Sequence, residues 1–171
     1  HAIERYGAQN FDFYDLTAIV RKDWIVSFCR KLVDRRWGIT WQIPAGTRSE
    51  AMDAEVVELL FASGCRNVAY APESGSANVL RRIKKKIDLG RMKASMAAAV
   101  RAGMRVKCNL IMGFPDETLQ EAAETLRFCH ELAALGVHDV NVTPFCPYPG
   151  SELFDELRAR GRIPVMSDDY F

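Results

Sequence analysis

The chain has 171 residues, of which 49% are hydrophobic and 26% charged, and a formal net charge of +1. It is long and apolar enough for one packed domain, and no apolar run reaches the ~18 to 20 residues that a membrane span needs, which excludes disorder, collagen and an integral membrane protein. A charge so near zero gives no global pull toward polyanions, so no nucleic-acid partner is expected.

In chain order, strand-like and helix-like stretches alternate. Strands are predicted at 11–14, 39–43, 67–70, 105–111 and 139–143, each short and bounded by turn or cap residues. Helical periodicity fills the gaps. Ile25, Phe28, Cys29 and Leu32 make one apolar stripe, and Leu119, Ala122, Ala123, Leu126, Cys129 and Ala133 make another, with Glu121, Glu124 and Glu131 placed outside. Thr118 and Glu121 have the spacing of a capping box that opens this second helix. Gly7, Gly38, Gly64, Gly103, Gly136 and Gly161 each follow a helix-like stretch, where the chain turns left-handed. Five strands alternating with helices predict a parallel α/β sheet, either open or part of a barrel.

The strand faces bear on that choice. Asp12, Thr40, Gln42, Asn67, Lys107, Asn109, Asn141 and Thr143 share one parity, while Phe11, Phe13, Trp41, Ile43, Val68, Tyr70, Val106, Leu110, Val140 and Val142 share the other. A doubly wound sheet is covered on both faces and reads apolar on both. One apolar and one polar face instead favour a barrel or half-barrel with a wet, ligand-lined interior.

Residues 81–107 carry ten Lys and Arg against Asp88 alone, and residues 108–161 carry nine Asp and Glu against Arg127, Arg158 and Arg160. The two blocks are expected to complement each other or the rest of a larger protein. Five dispersed cysteines, at 29, 65, 108, 129 and 146, fit neither a disulfide framework nor a zinc knuckle, and point to a reducing, cytoplasmic compartment. The chain opens His1-Ala2-Ile3-Glu4, without an initiator Met or a signal-peptide pattern, and is expected to be a piece of a longer protein.

In parallel α/β architecture ligands bind at the carboxyl ends of strands. The stretches there read Tyr14-Asp15-Leu16-Thr17, Pro44 to Glu50, Ala71-Pro72-Glu73-Ser74-Gly75-Ser76, Met112-Gly113-Phe114-Pro115-Asp116-Glu117-Thr118, and Pro144 to Ser151. Carboxylates, hydroxyls, one Arg and several glycines are thus expected on a single rim. The ordered set of Gly64-Cys65, Glu73-Ser74-Gly75-Ser76, Leu80, Lys85, Ala102-Gly103, Gly113-Phe114-Pro115 with Glu117-Thr118, and Pro147-Tyr148-Pro149-Gly150-Ser151 resembles the radical S-adenosylmethionine superfamily. Within it, the resemblance is to the branch whose members carry a cobalamin (B12)-binding domain ahead of the radical domain. It implies an α/β fold, a partial (β/α)6 TIM-like barrel with strands two to six present, over a single domain 1–171 that is the C-terminal part of the radical core.

The resemblance also implies site residues. Glu73 and Ser74 match the fourth-strand motif that contacts the ribose or the amino-acid end of S-adenosylmethionine. There a carboxylate can accept from hydroxyls or an ammonium, Gly75 admits close backbone approach, and Ser76 completes the motif. Glu73 and Ser76 could alternatively cap the next helix. Gly113, Pro115 and Glu117 match the fifth-strand motif against the adenine side, which could alternatively be a bare strand-to-helix turn. Pro147 and Tyr148 match the stretch after the sixth strand, an adenine or substrate edge. Asp15 matches the acidic residue after strand two and Arg48 the basic residue after strand three, a bidentate partner for the cofactor carboxylate; a salt bridge between such residues is the alternative. Lys85 matches the lysine of the basic run, and Lys84 to Lys86 could instead be a solvated face.

The superfamily's Cys-x3-Cys-x2-Cys loop, which gives three thiolates to a [4Fe-4S] cluster, has no match in the 171 residues. Cys29, Cys65, Cys108 and Cys129 read as packing residues, and Cys146 lies on the rim. The resemblance therefore implies that the cluster ligands and strand one lie upstream in the N-terminal remainder of a parent protein. That parent is expected to cleave S-adenosylmethionine reductively with an external electron donor. It would form a 5'-deoxyadenosyl radical and functionalise a C–H bond of a small-molecule substrate, by methyl transfer if cobalamin is bound. Two other readings remain: a ligand-binding barrel without a cluster, and a cluster-independent barrel lyase or isomerase using Lys107 as a Schiff-base residue. Neither His130 nor His138 accompanies a nucleophile, so no hydrolytic triad is expected.

Overall fold

The computed structural model describes residues 1–14, 19, 21–46 and 52–163. Helix α1 (Ala2–Tyr6) leads into strand β1 (Asn10–Asp12), followed by α2 (Lys22–Arg35), β2 (Thr40–Ile43), α3 (Ala54–Ala62) and β3 (Cys65–Glu73). Two helices, α4 (Ala77–Arg82) and α5 (Leu89–Arg101), then precede β4 (Arg105–Met112), and α6 (Leu119–Ala134), β5 (Asp139–Pro144) and α7 (Glu152–Ala159) complete the order. The extra helix explains why the interval from Gly64 to Gly103 is the widest between the helix-ending glycines. All six of those glycines have positive φ. Among the described residues no helix is long and apolar enough to cross a membrane.

All five strands are parallel and lie in the order β1-β2-β3-β4-β5. Parallel crossovers share one hand, so steps that all run the same way place every helix on one face and leave the other open. A doubly wound sheet reverses its order partway and covers both faces. In β2 to β4 the strand burial follows the predicted parity: Trp41, Ile43, Val68, Tyr70, Val106 and Leu110 are buried under the helices, whereas Arg105 and Lys107 are exposed and Thr40, Gln42, Asn67 and Asn109 half-buried. Strand β5, at the edge of the sheet, departs from it, since Val142 is exposed along with Asn141 and Thr143. The architecture is α/β, a part of a TIM-like barrel with a polar inner face.

The apolar layer is built from Ile25 and Cys29 of α2, Val56, Val57 and Leu60 of α3, and Met92 and Met96 of α5 against those strand residues. At the β1 side, Phe13, Phe28 and Trp41 meet edge to face with centroids 5.2–5.6 Å apart, and the buried Trp41 indole donates to the Ser63 carbonyl at 3.1 Å. Such aromatic contacts each add about 1 kcal/mol beyond the area they bury. The basic and acidic blocks do pair: Arg82 with Glu121, Lys84 with Glu152, Lys93 with Glu131 and Lys107 with Asp139.

Two sequence expectations are corrected. Strand β3 runs from Cys65 to Glu73, well past the predicted 67–70, because pairing with β4 resumes at Glu73↔Leu110 after an irregularity that spans Pro72. Pro cannot donate to a ladder, so a strand that carries it is concealed from propensity. On α6 the buried residues are Glu121, Thr125, Phe128 and Leu132, while Leu119 is 91% and Leu126 49% exposed. The loop after β3 sets that rotation by packing on Thr125 and Phe128, and Arg82 grips Glu121, so the predicted Leu119 to Ala133 stripe is not the buried one. The Thr118–Glu121 capping box forms as predicted.

Candidate functional site

Strands β4 and β5 end level, with Met112 paired to Pro144, and β3 ends within two residues of them, with Glu73 paired to Leu110. Their following loops therefore share one rim. Glu73 closes β3 at φ 73°, one of four non-glycine residues with positive φ among those described. This conformation costs an L-residue about 1 to 2 kcal/mol, so the surroundings must enforce it. The Lys85 ammonium donates to Glu73 Oε1 at 2.8 Å, with the two side chains 36% and 25% exposed. An ion pair this accessible contributes less than about 1 kcal/mol. Glu73 Oε2 has no partner among the described residues.

The rest of this motif turns toward α6. Ser74 is fully buried; its hydroxyl lies 3.0 Å from the Thr125 hydroxyl and accepts from the Ser76 N–H at 3.0 Å. The Gly75 N–H donates to Thr125 Oγ1 at 3.1 Å, and a Cβ on Gly75 would lie 2.5 Å from Phe128 Cβ and 2.8 Å from Thr125 Cα. Gly75 thus permits close approach of the loop to α6. Ser76 occupies the N-cap position of α4 without a capping bond, and its buried hydroxyl has no partner among the described residues. Thr125, which holds this turn, escaped the sequence reading because it follows Glu124 on what reads as a solvent face.

Helix α4 ends on a left-handed Lys84 at φ 58°, with Lys84 N–H donating to Arg81 O and Lys85 N–H to Leu80 O, the paired bonds of a Schellman cap. This reversal is what carries Lys85 back to Glu73. Just upstream, Arg82 forks onto both oxygens of Glu121 at 2.6 and 2.9 Å and so ties α4 to the start of α6. The Arg82 guanidinium and the Thr118 N–H hold the Glu121 carboxyl down at about 2.

After β4, Gly113 has φ 85° and nothing within 4 Å of where a Cβ would stand, so the space beside its Cα is open. Glu117 shapes this turn: its Oε2 accepts from Gly113 N–H at 2.5 Å and Phe114 N–H at 3.2 Å, while its buried Oε1 has no partner among the described residues. Phe114 packs on Phe145 at 5.1 Å, which joins this loop to the one after β5. Phe114, Pro115, Asp116, Arg82, Ser151 and Glu152 line a cavity of about 430 Å³. Pro147 is half-buried and Tyr148 is 71% exposed, and the Tyr148 carbonyl accepts from the Ser151 hydroxyl at 2.7 Å. Asp15 and Arg48 lie outside the described residues.

Below the rim the open sheet face carries a chain of amides. Asn67 donates to Gln42 at 2.8 Å and Gln42 to Asp12 at 2.7 Å, and the Thr40 hydroxyl donates to the Asn10 side chain. Gln42, Asn67, Ala69, Lys107, Asn109 and Asp139 line a cavity of about 520 Å³ there. Lys107 is paired with Asp139 at 3.1 Å. Nδ1 of His130 lies 2.8 Å from the Leu126 carbonyl, and Nδ1 of His138 accepts from the Val106 N–H at 3.3 Å.

The donor set suits S-adenosylmethionine better than it suits an iron–sulfur cluster. An unspent carboxylate oxygen and open space beside a glycine Cα on adjacent strands match a ligand rich in hydroxyl and ring donors. The cysteines do not converge: Cys29, Cys65 and Cys108 are buried, Cys146 is exposed, and among the described residues no three His, Cys, Asp or Glu side chains form a metal-binding group. Burial raises the Cys29 thiol to about 11 and those of Cys65 and Cys108 to about 12, far from the thiolate form a metal needs.

Known proteins resemble this chain in sequence and in fold. An uncharacterised methyltransferase of Pyrococcus horikoshii is 26% identical over 165 residues, 95% of this chain and 34% of its own length. Cytidylyl-2-hydroxyethylphosphonate methyltransferase of Streptomyces wedmorensis is 31% identical over 133 residues, 74% of this chain and 24% of its own. The chain thus spans about a third and about a quarter of the length of these curated relatives. The fold is shared with the radical S-adenosylmethionine methyltransferase TsrM from Kitasatospora setae, solved with cobalamin and a [4Fe-4S] cluster bound. The TM-score is 0.74 at 14% identity, over 93% of this chain and 32% of that one. Residues 2–129 match the model of the radical SAM superfamily, and the chain belongs to that family.

Proposed function

We propose that residues 1–171 form the S-adenosylmethionine-binding part of a radical SAM methyltransferase acting on a small-molecule substrate. The reading rests on one juxtaposition: Glu73 with an unspent carboxylate oxygen and Gly113 with open space beside its Cα, at the ends of neighbouring strands. Bound at a reduced [4Fe-4S] cluster, S-adenosylmethionine supplies an organic radical for attack on a C–H bond. The thiolates for that cluster are assigned to a segment outside these 171 residues, and cobalamin to the same larger protein, by likeness to the relatives above.

Within the chain, Glu73 accepts hydrogen bonds from the ribose or amino-acid end, and Gly113 and Pro115 lie against the adenine. Glu117 keeps the Gly113–Phe114 turn in shape, while Ser74, Gly75 and Ser76 hold the Glu73 turn on α6. Pro147 and Tyr148 edge the site, and Asp15 and Arg48, outside the described residues, are proposed as further ligand residues. The amide-lined sheet face gives the substrate polar partners below the cofactor. Glu73→Ala in the full-length protein is expected to weaken S-adenosylmethionine binding by about 1 to 3 kcal/mol, the worth of a hydrogen bond to a charged group. Titration calorimetry measures it, and unchanged affinity would overturn the assignment.

A further inference from the structure

Lys85 stands twelve residues from Glu73 in sequence and reaches it only because α4 ends in a left-handed turn at Lys84. Two of the four non-glycine residues with positive φ therefore bracket α4, and the ion pair joins the segments they redirect. The two Schellman bonds already hold the turn at Lys84, so the partly exposed pair adds little to stability. Its geometric effect is definite: one carboxylate oxygen of Glu73 is occupied and the other is left to accept. Neighbouring cations are committed elsewhere, Lys84 to Glu152 and Arg82 to Glu121. Lys85 is thus the one described cation in contact with Glu73.

We propose that Lys85 is a positioning residue for S-adenosylmethionine, acting through Glu73 by holding its carboxylate in the orientation that leaves Oε2 free for the ligand. The proposal rests on the reading of Glu73 as a ligand residue. Without Lys85, the side chain of Glu73 regains its rotamer freedom, and binding must spend free energy to order it again.

The test is a double-mutant cycle in the full-length, cluster-containing protein, with S-adenosylmethionine affinity read by calorimetry and folding by thermal unfolding. Lys85→Met is expected to weaken binding about tenfold, by analogy with one charge-assisted hydrogen bond. Lys85→Arg should recover most of that loss, and Glu73→Gln/Lys85→Met should bind no worse than Glu73→Gln alone. Rescue and non-additivity are outcomes that a purely structural role of Lys85 does not produce. Lys85→Gln serves in the same cycle if the methionine variant fails to fold. If Glu73→Gln weakens binding but Lys85→Met does not, or if the two losses add, the positioning role is overturned while the Glu73 reading stands. If Glu73→Gln leaves affinity unchanged, both fall.

Discussion

Cys29, Cys65 and Cys108 have almost no exposed surface, and desolvation of the thiolate is what drives their pKa values up. Cys146, in contrast, is exposed on the loop after β5. Brief alkylation of the folded protein at mildly alkaline pH, followed by peptide mass spectrometry, is expected to label Cys146 and to leave those three thiols unmodified until the chain is denatured. Tyr70 behaves in the same way, its phenol buried against the Ser95 hydroxyl at 2.8 Å and its pKa raised by burial. At this scale the buried polar atoms serve packing, and the reactive groups are those at the rim.

The elements meet at α6, where two contacts decide the position of the candidate site. Gly75 leaves no room for a side chain against Phe128 and Thr125. Gly75→Ala is expected to cost about 2 to 3 kcal/mol, the usual range for overpacking, since backbone rather than a flexible side-chain end must yield. Urea denaturation measures the loss, and S-adenosylmethionine affinity should fall with it because Glu73 lies two residues away. The second contact is pH-dependent. Glu121, held at about 2 by Arg82 and the Thr118 N–H, has a folded pKa below its ordinary value near 4.5. A depressed carboxylate contributes stability that is fully present above the unfolded pKa and is lost as pH falls toward the folded one. Denaturation midpoints are therefore expected to drop between pH 4.5 and pH 2, and Glu121→Gln should flatten that part of the profile while lowering stability at neutral pH.

For the molecule as a whole, sequential strand order sorts helices to one side and polar side chains to the other, so the rim loops open onto a face already lined with amides. The same order distributes the five cysteines over α2, β3, β4, α6 and the loop after β5. Anaerobic reconstitution of the 171-residue chain with iron and sulfide is expected to yield no stoichiometric cluster by iron analysis and absorbance. A chain extended to include a three-cysteine loop should take one up. Stoichiometric cluster binding by the 171 residues alone would contradict the placement of the ligands elsewhere.

Strand periodicity, the polar parity, the glycine-ended helices and the rim motifs were all legible in the chain, because each is written within a few residues by the two periods of backbone geometry. The capping box at Thr118 was local in the same sense. What the tertiary structure alone decided are contacts between segments far apart: Ser74 and Gly75 on Thr125, Arg82 on Glu121, and the passage of β3 through Pro72 to Glu73. The face of α6 could not be read correctly, since Glu121 and Thr125 count as solvent residues until Arg82 at the end of α4 and Ser74 in the loop after β3 satisfy them. Lys85 had only a motif position to recommend it, and its partner was settled by the left-handed turn that ends α4. Local pattern specifies which elements form, whereas the pairing of polar groups depends on the path the chain takes between them.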